Sequence, residues 1–198
     1  MKYYLFLALL FFTSMPGFTQ QKTWNLNPQR SKLAFLATHQ KGPVAGYLDQ
    51  FTAKVQAANE NLSDAQIEID ANVYSFNSAH SARDQQFMAA EFFDVARYPV
   101  LTYKSTSLTR INVNTYRISG ILQLHGVTEY VPLIMKLKRS ILDSASALQP
   151  MTVHISADLD RKHFKIGKTY SPYLIANKLQ LIGEWELMVS DLKNTPLQ

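Results

Sequence analysis

The sequence contains no cysteine, only seven glycines and only eight prolines in 198 residues. Without thiols there are no disulfides, thiolate zinc sites, iron-sulfur clusters or cysteine nucleophiles, and only His and carboxylates remain as metal ligands. So little glycine and proline excludes a collagenous or low-complexity chain, and a hydrophobic content of 46% supports a sizeable core. Charge is also sparse. Charged residues make up 18% of the chain, with a net +5, and the basic ones are scattered instead of clustered on a helix, which argues against a nucleic-acid partner.

Leu5 to Phe12 is an unbroken apolar run, well short of the roughly 20 residues that a spanning helix needs. Lys2 precedes it, Pro16-Gly17 breaks it, and the small residue Thr19 follows. This reads as a secretory signal peptide over residues 1–20, cut near Thr19 to Gln21, with residues 21–198 as one exported domain. No cysteine follows to carry a lipid anchor. The exported part keeps an excess of four positive charges.

From Leu33 onward two-residue alternation dominates. Ile67, Ile69, Ala71 and Val73 alternate with Gln66, Glu68, Asp70 and Asn72, and the pattern returns at Ile118–Leu124, Val131–Leu137, Val153–Leu159 and Leu179–Leu187. Ser31 to His39, Val44 to Gln56 and Val100 to Leu108 bring the expectation to about eight strands, the number at which a closed sheet holds side chains or one small ligand. Lys41-Gly42-Pro43 and Ser140 to Pro150 read as turn or loop without a crossover helix, which predicts an antiparallel order. One segment differs. Ser81, with Asp84 three residues on, resembles a capping box, and Ala82 to Glu91 predicts a short helix before Tyr98-Pro99 forces an extended exit.

Ser81-Ala82-Arg83-Asp84, Phe87, Glu91-Phe92-Phe93-Asp94-Val95, Tyr98-Pro99 and Tyr103-Lys104-Ser105-Thr106 together resemble the signature of the YceI-like family, as do Gly120 to Thr128 and Val131-Pro132-Leu133. The likeness runs from about Trp24 to Val189. It implies a lipocalin-like, extended eight-stranded antiparallel β-barrel with a short helical insertion. It also implies bacterial export to the periplasm or beyond, no catalysis and no cofactor. The implied ligand is a long-chain isoprenoid or similar amphiphilic lipid, enclosed for carriage or storage. The chain departs from the pattern at Asn27 and Arg30, where the family usually has Asp and His. It departs again in Arg161-Lys162-His163-Phe164-Lys165-Ile166, where Lys165 stands for the family's Gly.

Alternating apolar faces alone read as dry core; the resemblance turns them into candidate cavity walls. The lining expected on that basis is Phe35, Ile67, Ile69, Phe87, Phe92, Leu101, Tyr103, Ile118, Leu122, Leu133, Met135, Val153, Ile155, Leu181 and Trp185. His80, Ser81 and Asp84 have the residue types of a catalytic triad, but Ser81 and Asp84 have a simpler role at a helix start. Ser81, Arg83 and Asp84 are therefore assigned to structure. The five histidines lie in five separate segments without metal spacing. His125, near a strand end, and Arg161, in the densest basic stretch, are candidates for a headgroup contact, and transient contact with a membrane surface follows from the same stretch. Two rival readings are an enzyme acting on a lipid in the same cavity and an outer-membrane barrel.

Overall fold

A computed structural model describes residues 22–59, 62–138 and 150–190. The signal-peptide reading and most of the loop expected from Ser140 to Pro150 lie outside the described residues.

Eleven strands form one sheet. They are β1 (Lys22–Leu26), β2 (Lys32–His39), β3 (Gly42–Leu48), β4 (Phe51–Ala57), β5 (Gln66–Asn72), β6 (Phe76–Asn77), β7 (Val100–Asn112), β8 (Thr115–Leu124), β9 (Val127–Lys138), β10 (Met151–Asp160) and β11 (Ile175–Val189). Among the described residues a single α-helix, α1, spans Ser81–Met88, and a 3-10 turn spans Val73–Ser75.

The first six strands are three long strands with a bend in each. β1 and β2 both pair with β11, at Trp24↔Val189 and Leu33↔Gly183; β4 and β3 pair with β1 and β2; β5 and β6 pair with β4 and β3. Counted this way, the wall is the expected eight-stranded antiparallel meander, closed by pairing its last strand with its first. The bends explain two differences from the sequence reading. Val44 to Gln56 is interrupted at Asp49-Gln50, and Lys22–Leu26, with too little alternation to stand out, pairs on both sides.

Patterning sets the two faces of the wall. On β5, Ile67, Ile69 and Ala71 are buried while Gln66 and Asp70 face water, because successive strand residues point to opposite faces. The outer face carries cross-strand pairs such as Lys104–Glu68 at 2.9 Å and Lys178–Asp158 at 2.8 Å. Apolar side chains thus point inward and polar ones outward, the reverse of a lipid-facing barrel.

The two ends of the barrel differ. Where β8 meets β9, His125 and Gly126 have φ of 53° and 68°, the paired positive values of a tight type I′ hairpin. This turn, α1, the segment after it and the loop 161–174 gather at one end of the wall. The helix stops at Met88 and not near Glu91: Ala89 is already extended, and Phe92, Phe93 and Val95 turn inward. Close approaches fix the packing. A Cβ on Gly120 would lie 2.4 Å from the Tyr103 ring and 2.6 Å from the Lys104 carbonyl oxygen, so only glycine lets the buried Tyr103 hydroxyl donate at this level, 3.2 Å from Val131 O. Burial pushes the Tyr103 phenol pKa up.

Candidate ligand-binding site

The end that carries α1 contains an open chamber of about 340 Å³. Its walls come from β2 (Ala37, His39), Lys41 in the β2–β3 turn, the start of β3 (Gly42 to Val44), α1 (Arg83, Gln86, Phe87), Phe92, and Tyr170, Leu174 and Ile175. Its floor is aromatic. Phe87 and Phe92 stack edge-on at 4.6 Å, Phe76 meets Phe87 at 5.2 Å, and Phe93 touches Phe35 at 5.5 Å; a small apolar hollow of about 20 Å³ lies among them. Edge-to-face contact is a favoured geometry for aromatic rings, and these rings together close the chamber from below. A Cβ at Gly46 would come within 2.0 Å of the Phe76 ring, so the floor sits directly against the bare backbone of β3.

Of the fifteen lining residues expected from the sequence, Phe35, Phe87 and Phe92 line the chamber or the hollow below it. The other twelve all face inward but are packed in the barrel beyond the floor. Ile67, Leu101, Ile118, Leu122, Leu133 and Met135 are 0% exposed, and Ile69, Tyr103, Val153, Ile155, Leu181 and Trp185 are 1% exposed, so water-sized space does not adjoin them. The expected apolar barrel cavity is thus, in this structure, a mouth chamber above a filled interior. Bulky residues on consecutive strands fill the barrel, as eight strands allow. Trp185 pays a local cost, since its buried Nε1 has no hydrogen-bond partner.

Arg161 corrects a sequence expectation. It is 2% exposed, and its five N–H groups are all spent on backbone carbonyls: Nε on Ala176 at 3.1 Å, Nη1 on Ile166 at 3.1 Å and Gly167 at 2.5 Å, and Nη2 on Tyr170 and Ile175, both at 2.9 Å. A guanidinium has only five such donors, so none is left for a headgroup. Burial holds its pKa below the usual guanidinium range, with Asp160 pulling the other way. Its role is to fold the loop behind the chamber. Lys165 takes φ of 60° in that loop, the left-handed backbone that suits the family's glycine.

His125 is likewise engaged in structure. Its Nδ1 lies 2.9 Å from the Phe164 carbonyl, which can only accept, so Nδ1 carries the proton; its ring packs on Tyr98 at 4.8 Å, away from the chamber lining. The headgroup contact expected at His125 is replaced by a strut between the β8–β9 turn and the 161–174 loop.

At α1, Arg83 and Asp84 both bond to Ser78, and the expected cap is corrected. The cap is His80, whose Nδ1 accepts from the Arg83 amide at 3.3 Å, and Ser81 is the first helical residue. Asp84 reaches back instead to the amide of Ser78 at 2.9 Å and to its hydroxyl, while Arg83 donates to that hydroxyl at 2.8 Å and to the Ser78 carbonyl at 2.7 Å. The His80 Nδ1 and the Asp84 carboxylate are therefore tied down at separate points, not aligned on Ser81. Sequence reasoning missed that Arg83 also reaches the chamber wall, and it missed His39, Lys41 and Tyr170. A basic residue flanking the Gly42-Pro43 turn was the available signal for Lys41.

The departures at the chain's opening also have a structural meaning. Asn27 Nδ2 donates to Glu186 at 2.7 Å and Arg30 pairs with the same carboxylate at 3.1 Å, sewing the β1–β2 bend to β11.

The fold is thus a closed antiparallel barrel with a chamber at one end. The chain matches the YceI-like domain over residues 24–187 and belongs to the YceI-like family. Two curated relatives, both called UPF0312 protein, align with it. The protein of Shewanella denitrificans is 31% identical over 88 residues, 44% of this chain and 46% of its own; that of Pectobacterium atrosepticum is 32% identical over 92 residues, 46% and 47%. The chain thus spans about half the length of the curated relatives it matches. Among solved structures, BcnA of Burkholderia cenocepacia superposes with a TM-score of 0.73 at 19% identity, covering 81% of this chain and 98% of BcnA. A domain of Saccharophagus degradans, described as polyisoprenoid-binding and implicated in plant cell wall breakdown, superposes with a TM-score of 0.64 at 15% identity, covering 84% and 98%. At these identities the likeness is one of fold.

Proposed function

We propose that this protein is an exported binding protein for an amphiphilic lipid, which it carries or stores without chemical change. The observation that carries this reading is the phenylalanine-floored chamber, apolar inside and polar at the rim, open beside α1. The fold shared with a polyisoprenoid-binding domain makes an isoprenoid tail the first choice. The tail enters the chamber, and one longer than the chamber displaces the rings of Phe87, Phe92 and Phe93 to reach the barrel interior.

Burial of a methylene is worth roughly 0.8 kcal/mol against water but almost nothing against a bilayer. A lipid leaving a membrane is already dry, so the chamber competes through ring packing and rim contacts. Leu174 in the lining is 42% exposed and its neighbour Tyr173 is 77% exposed, so a membrane surface would meet them during loading. Residues 1–20 direct the chain out of the cytoplasm, and sequencing the amino terminus of protein from the periplasmic or secreted fraction tests that. Mass spectrometry of an organic extract of the purified protein tests the lipid. A co-purifying chain lipid, or uptake of isoprenoid quinones or alcohols by the emptied protein, is the expected result; neither one being found refutes the reading.

A further inference from the structure

We infer that the chamber selects an amphiphile whose head is an oxyanion, a carboxylate or a phosphate, held at the rim by Lys41 and Arg83; this rests on the lipid-binding reading above. Among the described residues, the lining contains two cationic side chains, Lys41 and Arg83, and no carboxylate; His39 Nδ1 accepts from the Lys41 amide at 3.1 Å. Lys41 is exposed, at the turn between β2 and β3, without an acidic partner among the described residues.

Arg83 is held in place. Its Nε and Nη2 are fixed on Ser78, which leaves Nη1 without a protein partner, and Arg83 is part of the chamber lining. Asp84, reached through the Ser78 hydroxyl, offsets part of its charge. Lys41 has no such offset. Behind the wall, the buried Arg161 adds a third cation whose hydrogen bonds all go to carbonyls, two of them on the lining residues Tyr170 and Ile175. Of the neutral polar groups of the wall, Gln86 Nε2 donates to the Tyr170 hydroxyl at 2.9 Å.

An apolar-walled cleft focuses the field of the charges around it, so the mouth is positive. A tail that fills the chamber strips water from Arg83 and Lys41. An anionic head replaces that water with charge-assisted bonds, a sugar or hydroxyl head does so less well, and a quaternary ammonium is repelled. At about 340 Å³ the chamber is at the small end of ligand sites, sized for one chain and not two.

The test is calorimetric titration of delipidated protein with four amphiphiles that share a dodecyl tail: dodecanoate, dodecyl phosphate, dodecyl maltoside and dodecyltrimethylammonium, each below its critical micelle concentration. The anionic pair should bind about tenfold more tightly than the other two, as two rim ion pairs allow, and the gap should narrow between about 50 and 500 mM salt. The tighter of the two anions tells carboxylate from phosphate. Lys41→Glu, on an exposed turn and checked for an unchanged melt, should close most of the gap. Equal binding of all four heads, or a gap that survives Lys41→Glu at full size, overturns the inference and leaves lipid binding standing. Failure of all four to bind overturns the underlying reading instead.

Discussion

Replacing Arg161 with Met keeps most of the side-chain volume and removes every donor. The five carbonyls it serves, on Ile166, Gly167, Tyr170, Ile175 and Ala176, then face an apolar thioether. At about 1.5 kcal/mol for each charge-assisted bond the gross loss is about 7.5 kcal/mol. Several kcal/mol return because a buried cation is no longer taken out of water. The net destabilisation is therefore about 3 to 5 kcal/mol, which for a domain of this size is roughly 6 to 20 °C in Tm. The loop has an alternative: it can detach locally so that water pairs the carbonyls. In that case the urea midpoint falls less, but amide exchange over residues 161–175 rises toward that of a free chain. Urea unfolding and exchange mass spectrometry on the same samples cover both outcomes. An Arg161→Met protein whose urea midpoint and whose loop protection both match the parent would refute the reasoning.

Three further outcomes are expected. Leu122→Arg places a charge among fully buried side chains and should unfold the barrel or leave it without retained lipid, whereas Gln123→Arg, one residue along on the outer face, should melt and load like the parent; lipid per folded protein is the readout. Gly120→Ala drives a Cβ into the Tyr103 ring and the Lys104 carbonyl and should cost about 1 to 3 kcal/mol by thermal melting, as overpacking against backbone does. Burial raises the Glu186 pKa, but the bonds from Asn27 and Arg30 outweigh it and the net shift is downward. Its pairing therefore stabilises the fold above the unfolded carboxylate pKa, about 4.3, and is lost as pH falls through the lower folded value. Urea midpoints between about pH 3 and 7 should show that Glu186→Gln has a smaller acid-side drop than the parent.

Much of the wall was legible because one physical rule, alternation, governs it. Ile67, Leu122 and Val153 are inward because their neighbours Gln66, Gln123 and Thr152 are better off in water. The helix was legible from its formers, yet its cap was not. The Ser81-x-x-Asp84 spacing suggests a capping box, and what decides the matter is that His80 is extended with its ring over the first turn, and that Asp84 has a closer amide at Ser78. The chamber was less legible still. Periodicity tells which residues face inward but not how much space they leave, and that depends on ring packing among Phe35, Phe76, Phe87, Phe92 and Phe93, contributed by segments far apart in sequence. Arg161 was misread for the same reason, since its partners are main-chain carbonyls, which leave no trace in residue identity.

The closure of the sheet also constrains how the protein comes to be folded. Most pairings along the wall join neighbouring segments, so hairpins such as β8–β9 and β10–β11 need little chain to be gathered. The junction of β1 with β11 is different: Ser190 bonds to Thr23 across 167 positions. That contact cannot reward the chain until nearly the whole meander is in register, and the loop entropy it must overcome is large. The seam is therefore the last part to zip. Refolding should be slow for the size of the domain, in the millisecond-to-second range typical of sheets with distant pairings, and substitutions at Trp24 or Leu187 should speed unfolding more than they slow folding.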